Sequence, residues 1–270
     1  MMVKTGKVIT VITLLSVFII LMAASGCEED EFNSRQTTYS LMVKDVLGVT
    51  GTATFKETAD NLTTIDITLI NAPSGTHPAE LCMNSAVEGG SVVITLNPVD
   101  ETGKSTTGVT TISYNELIVY DGYIIVHKSS SEPDVILVVG DIGGNVITST
   151  KKTYTLVTVA TFGVSGTALF EKRVNGNTLV TINVTGTIAG EVYPATINLG
   201  SIESVGGGPV VMTLNNVNGT IGKSFTNIRK LDGGTDITYD NWLVYDGYIN
   251  IYQTAVSLDN IICHGNIGSN

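Results

Sequence analysis

"VYDGYIIVH" at residues 119–127 and "VYDGYINIY" at residues 244–252 are one phrase written twice in a chain of 270 residues. Repeats of this kind fix the architecture before any single element is read. Working outward, "VTGTATF" (49–55) recurs as "VSGTALF" (164–170), with five identities in seven. "VVITLNPV" (92–99) recurs as "VVMTLNNV" (210–217), with six in eight, and "GDIGGN" (140–145) as "GNIGSN" (265–270), with four in six. The offset grows from 115 to 125, so the second copy carries insertions, among them the glycine-rich "LDGGTD" (231–236). A period this long exceeds the roughly 20–50 residues of solenoid units, so each copy is expected to be a domain. The phrase also changes at its end, from His127 to Tyr252.

Within each copy the hydrophobic period is two, the period of a half-buried strand. In "TTIDITLI", Ile65, Ile67 and Leu69 share one face. In "TLVTINVTG", Val180, Ile182 and Val184 do the same. Turn residues precede both, "ADN" at 59–61 and "NGN" at 175–177. The pattern predicts strands at 39–46, 50–58, 62–70, 79–84, 91–97, 123–128 and 135–142, repeated in the second copy. "YNELIVY" is the one helix candidate of each copy, with Gly122 expected to end it in the left-handed conformation. The expected fold is all-β: two tandem Greek-key sandwiches or barrels, each with about seven strands and one short helix. Residues 39–149 form the first domain and 150–270 the second, with no further domain expected after them.

The chain opens with Lys4 and Lys7, then an apolar run from Val8 to Ala24, then "ASGC" ending at Cys27. Charge, apolar run and small residues before a cysteine make a lipoprotein signal, cleaved after residue 26, with Cys27 taking the lipid. Residues 27–38 are then an acidic tether. "EEDE" after the cysteine resembles the export signal of surface lipoproteins in the Bacteroidetes group, which implies the outer face of the outer membrane. Cleavage removes both lysines and no acid, taking the net charge from −11 to −13. Such a chain does not neutralise phosphates, which excludes nucleic acid as a partner class. Anionic lipid would repel it too, so membrane attachment falls to the lipid chains.

Two cysteines remain, Cys82 and Cys263, one per copy. Outside the cytoplasm they could pair as a disulfide or stay as buried thiols. No zinc-knuckle spacing, G-x-S-x-G elbow or calcium loop is present. Asp100, Glu101, Asp121 and Asp141 are read as turn residues. "GDIGGN" lacks the following helix that a phosphate cradle needs, which makes it a strand end or domain link.

Set in order, the pieces resemble the chordin-type (CHRD) domain: Gly51-Thr52-Ala53, His77-Pro78-Ala79-Glu80-Leu81-Cys82, Gly89 to Val93, Tyr123 to His127, then Gly140-Asp141-Ile142. The second copy gives Gly166-Thr167-Ala168, Tyr193 to Asn198, Gly207 to Val211, Tyr248 to Tyr252, then Gly265-Asn266-Ile267. That family resembles, more distantly, the copper/zinc superoxide dismutase β-barrel, whose H-x-H and V-H histidines bind copper. The resemblance places those positions at Glu80, Cys82 and His127 in the first copy, and at Thr196, Asn198 and Tyr252 in the second. Two of the four family histidines survive in the first copy and none in the second. The reading is therefore no metal, no cofactor and no catalytic residue. A partial Glu80–Cys82–His127 site, metal-binding or dismutase-like, is the alternative. The expected role is non-enzymatic: a lipid-anchored envelope protein presenting two β domains to an extracellular protein or glycan.

Overall fold

A computed structural model describes residues 34–58, 62–203, 207–255 and 257–270. The signal peptide, Cys27 and most of the tether lie outside the described residues, as does the "ADN" turn at 59–61. Residues 35–270 form one compact unit built of two sheets.

The first sheet contains β1 (Gln36–Val43), β2 (Thr50–Glu57), β3 (Thr63–Ile70), β4 (His77–Met83), β5 (Val92–Val99), β6 (Lys104–Val109), β7 (Gly122–Ser129) and β8 (Glu132–Ile142). A helical turn, α1 (Tyr114–Leu117), precedes β7. The strand order is β5-β4-β7-β8-β1-β2-β3-β6. The second sheet contains β9 (Ile147–Thr158), β10 (Ser165–Arg173), β11 (Thr178–Thr185), β12 (Val192–Leu199), β13 (Val210–Asn218), β14 (Lys223–Ile228), β15 (Asp246–Thr254) and β16 (Ser257–Gly268), with α2 (Tyr239–Trp242) before β15. It closes as a barrel with the same cyclic order. In the second copy three hairpin-linked strands, β12-β13-β14, are followed by β15, which returns beside β12, the Greek-key connection; in the first copy β7 returns beside β4 in the same way, with β5 and β6 at the two edges of the sheet.

Two features correct the sequence reading. Each sheet has eight strands, one more than the predicted ranges give. The additional ones, β6 and β14, turn Ser105, Thr107 and Val109, or Ser224, Thr226 and Ile228, to the buried side. Small hydroxyl residues on the inner face hide the alternation that apolar residues would advertise. These hydroxyls also close the seam between β5 and β6. Asn97 donates its backbone N–H to Thr107 Oγ1 (2.8 Å) and its side-chain amide to Thr106 O (2.7 Å), while Ser105 donates to Asn97 O (2.6 Å). Asn215 makes the first two bonds again, to Thr226 Oγ1 and Phe225 O. The repeated "TLN" is thus a seam fastening.

The second correction concerns Gly122 and its counterpart Gly247. Neither has a positive φ. The helical turns are set instead from their N-termini by capping boxes, Ser113 with Glu116 and Thr238 with Asn241. Glycine is needed after each turn because a Cβ at 122 would lie 2.7 Å from both Cys82 O and the Tyr120 ring. At 247 it would lie 2.8 Å from the Tyr245 ring. The "YDGY" phrase is kept because a tyrosine ring folds over a bare backbone.

Each sheet encloses its own core. Both cores contain the same T-shaped aromatic pair, Tyr39–Phe55 at 5.1 Å and Tyr154–Phe170 at 5.2 Å between centroids. β4 begins at His77, two residues before the expected start. His77 is buried there, its ring nitrogens 2.6 Å from Lys128 O and 2.9 Å from Pro73 O.

Candidate functional site

Three regions could carry function: the strip of Glu80, Cys82 and His127, the junction between the sheets, and a groove beside that junction. The strip lies on the outer face of β4 and β7. Ala79, Leu81, Ile124 and Val126 point into the core, so alternation turns Glu80, Cys82, Tyr123 and His127 outward. Glu80 Oε2 and His127 Nε2 are 3.6 Å apart. His127 Nδ1 lies 2.6 Å from Pro133 O, and since a carbonyl only accepts, Nδ1 carries the proton. Cys82 goes elsewhere: its thiol pairs with the Tyr123 hydroxyl. Burial, above all, pushes the Cys82 thiol up, and it pushes Tyr123 up to about 12. A thiol held protonated is a poor metal ligand and a poor nucleophile. Of the three sequence-predicted residues, then, two meet and the third does not. Among the described residues no three His, Cys, Asp or Glu side chains converge as a metal-holding group.

In the second copy the same strip is a chain of hydrogen bonds among buried groups. Asn250 Nδ2 donates to Tyr252 OH (3.3 Å), Tyr252 to Thr196 Oγ1 (3.0 Å), Thr196 to Asn198 Oδ1 (2.6 Å), and Asn198 Nδ2 to Gly208 O (2.9 Å). Every donor points the same way, an arrangement in which each bond polarises the next. Tyr252 therefore stands where His127 does because its hydroxyl is the middle link. Asn250 Oδ1 has no partner among the described residues. His264 is opposite Asn250 across the β15–β16 ladder, and burial lowers its pKa, so it is neutral at neutral pH.

Both remaining cysteines are free and buried, Cys82 in the first sheet and Cys263 in the core of the second. The bond left open between them by the sequence is not made. Burial pushes Cys263 up to about 12.

The junction is where "GDIGGN" falls. Asp141 is in strand β8 and not in a turn, and its carboxylate ties the two sheets together. Oδ1 accepts from Ala86 N (2.7 Å) and Oδ2 from Arg173 Nη1 (2.6 Å). Arg173, on β10 of the second sheet, is 0% exposed and also donates to Asn145 O. Asn175 donates to Asp121 Oδ1 at 2.8 Å, and its backbone N–H to Gly144 O. A Cβ on Gly144 would crowd Asp121 Oδ1 and the Asn175 side chain and push the carboxylate off its Asn175 donor. Sequence reasoning missed Arg173. The available signal was a paired change: aligned with Arg173 the first copy has Thr58, and aligned with Asp141 the second has Asn266, both uncharged.

Beside the junction is an open groove of about 500 Å³ lined by Thr111, Ile112, Glu116, Val119, Tyr120 and Asp121. Val119 is 64% exposed, and Val244, at the same point of the second copy, is 73% exposed. Single exposed apolar residues are ordinary; one kept at the same place in both copies is less so. Among the described residues no helix is long and apolar enough to cross a membrane. Comparison with known proteins returned no matching family model, no matching curated protein and no matching solved structure.

Proposed function

We propose that this chain is a non-enzymatic envelope protein of chordin-domain type, anchored through lipid at Cys27 on the outer face of the outer membrane. Its two β domains present a contact surface to an extracellular protein or glycan. The observation that carries the binding role is the groove of the first copy, with the exposed Val119 at its edge and Val244 repeating it in the second. The signal pattern and the acidic residues after Cys27 support the anchoring. A second reading, weak metal binding, has one observation in its favour: Glu80 and His127 face each other at 3.6 Å, with Nδ1 of His127 fixed by a carbonyl in the manner of a metal-ligating imidazole.

One cell-surface experiment tests the proposal. Cells displaying the protein are assayed for binding to extracellular matrix material, alongside Cys27→Ala, Val119→Asp and His127→Tyr variants. Cys27→Ala should be lost from the membrane fraction. Val119→Asp should remain at the surface and bind several-fold less, and His127→Tyr should bind as the parent does. Membrane retention of Cys27→Ala would refute the anchor, and full binding by Val119→Asp would refute the contact surface.

A further inference from the structure

We propose that the groove of the first barrel takes a cationic side chain, Arg or Lys, from a partner polypeptide. The inference rests on the binding role above and names the chemistry of what is bound. Its walls fit such a side chain. Ile112 and Val119 offer apolar contact for an aliphatic stem. Tyr120 is folded tightly over Gly122, with no room for a Cβ beneath it, and adds an aromatic wall favourable to a cation.

The charge is of one sign. Glu116 and Asp121 are the only ionised side chains in the lining, which has no Lys, Arg or His. Each carboxylate is half used. Glu116 Oε2 accepts from the backbone N–H (2.9 Å) and hydroxyl (2.7 Å) of Ser113. Those bonds, the hydroxyl first, hold its carboxyl below the usual range and therefore ionised. Asp121 Oδ1 accepts from Asn175. Glu116 Oε1 and Asp121 Oδ2 have no partner among the described residues. An anionic ligand would be repelled, and a neutral one would leave both free oxygens to water.

The second copy shows what has changed at the corresponding corner. There Glu116 becomes Asn241, Tyr245 stacks on Trp242 at 4.9 Å, and Asp246 Oδ1 accepts from Asn270. Where the first copy runs directly from β6 to α1, the insertion makes a hairpin whose own cation, Lys230, meets Asp236 at 3.2 Å. Among the described residues no Lys, Arg or His of the first copy lines its groove, so the recognition is assigned to that copy.

The test is a titration of isotope-labelled protein with blocked tripeptides, acetyl-Gly-Arg-Gly-amide and its Lys and Glu counterparts, and with maltose, read by amide chemical shifts. The Arg and Lys peptides should shift Thr111 and residues 119–121 saturably. The dissociation constant should be on the order of 1 mM, and the shifts should fade in ~1 M salt, where the Debye length is ~3 Å. The double variant Glu116→Gln/Asp121→Asn keeps the capping box and the acceptor for Asn175 while removing both charges. It should weaken the Arg peptide about fivefold or more, the scale of two exposed ion pairs, with an unchanged melting curve. The cation reading is overturned if the Arg peptide shifts nothing at the groove, binds the double variant equally, or is matched there by the Glu peptide or by maltose. Any of these outcomes with Val119-dependent surface binding intact would leave the contact surface standing and remove only its assignment to a cation.

Discussion

Replacing Asp141 with alanine is expected to destabilise the protein by about 3–5 kcal/mol, the range for removing one partner of a buried ion pair. Arg173 is 0% exposed and the Asp141 side chain only 15%, so the stranded guanidinium cannot turn to water. It already has Nε and Nη2 without partners among the described residues. Ala86 N would lose its acceptor at the same time. Urea unfolding followed by far-UV circular dichroism and by the single tryptophan, Trp242, measures the effect on both sheets and on the second. Adding Arg173→Met should recover most of the loss, because no buried charge is then left unpaired. A change below about 1 kcal/mol for Asp141→Ala would mean that the junction opens to solvent and that the carboxylate does not lock the sheets together.

The second large effect is expected at Trp242 itself. It is fully buried, 6.0 Å from Phe170 and 4.9 Å from Tyr245 between ring centroids, where α2 packs into the core of the second barrel. Trp242→Ala should cost about 3–5 kcal/mol through the cavity it leaves. Its Nε1 has no partner among the described residues, so the loss is one of packing and not of a hydrogen bond. Trp242→Leu should cost clearly less, since Leu117 fills the equivalent place in the first copy. Equal losses for the two variants, by chemical denaturation, would show that shape at this position matters more than volume.

These two residues differ in how far the sequence announced them. Trp242 stands two residues before the repeated phrase, in the helix candidate, where an apolar residue, Leu117, also stands in the first copy. Arg173 reads as a surface residue, because a charged side chain next to the turn "VNGN" is normally solvated. Only the alignment of the copies hints otherwise. The two-copy all-β plan was legible because Ile65, Ile67 and Leu69, and their counterparts, alternate cleanly. Strands β6 and β14 were not, because their inner positions are serine and threonine. The role of Gly122 was misread, since close approach and left-handed backbone both demand glycine and the sequence does not separate them. At the strip, the resemblance named Glu80, Cys82 and His127, and alternation put only Glu80 and Cys82 on one face. It could not foresee that Cys82 turns to Tyr123, or that Tyr252 takes part in a hydrogen-bond chain.

The central proposal is that Glu80, Cys82 and His127 form no working metal centre, and that the barrels serve as a binding frame. Elemental analysis of protein purified mildly from its own membrane tests this most directly, with His127→Tyr measured in parallel. The account predicts copper and zinc well below one per chain, no dismutase activity, and a melting curve for His127→Tyr nearly the same as the parent's. One copper or zinc per chain, lost together with thermal stability in His127→Tyr, would contradict it.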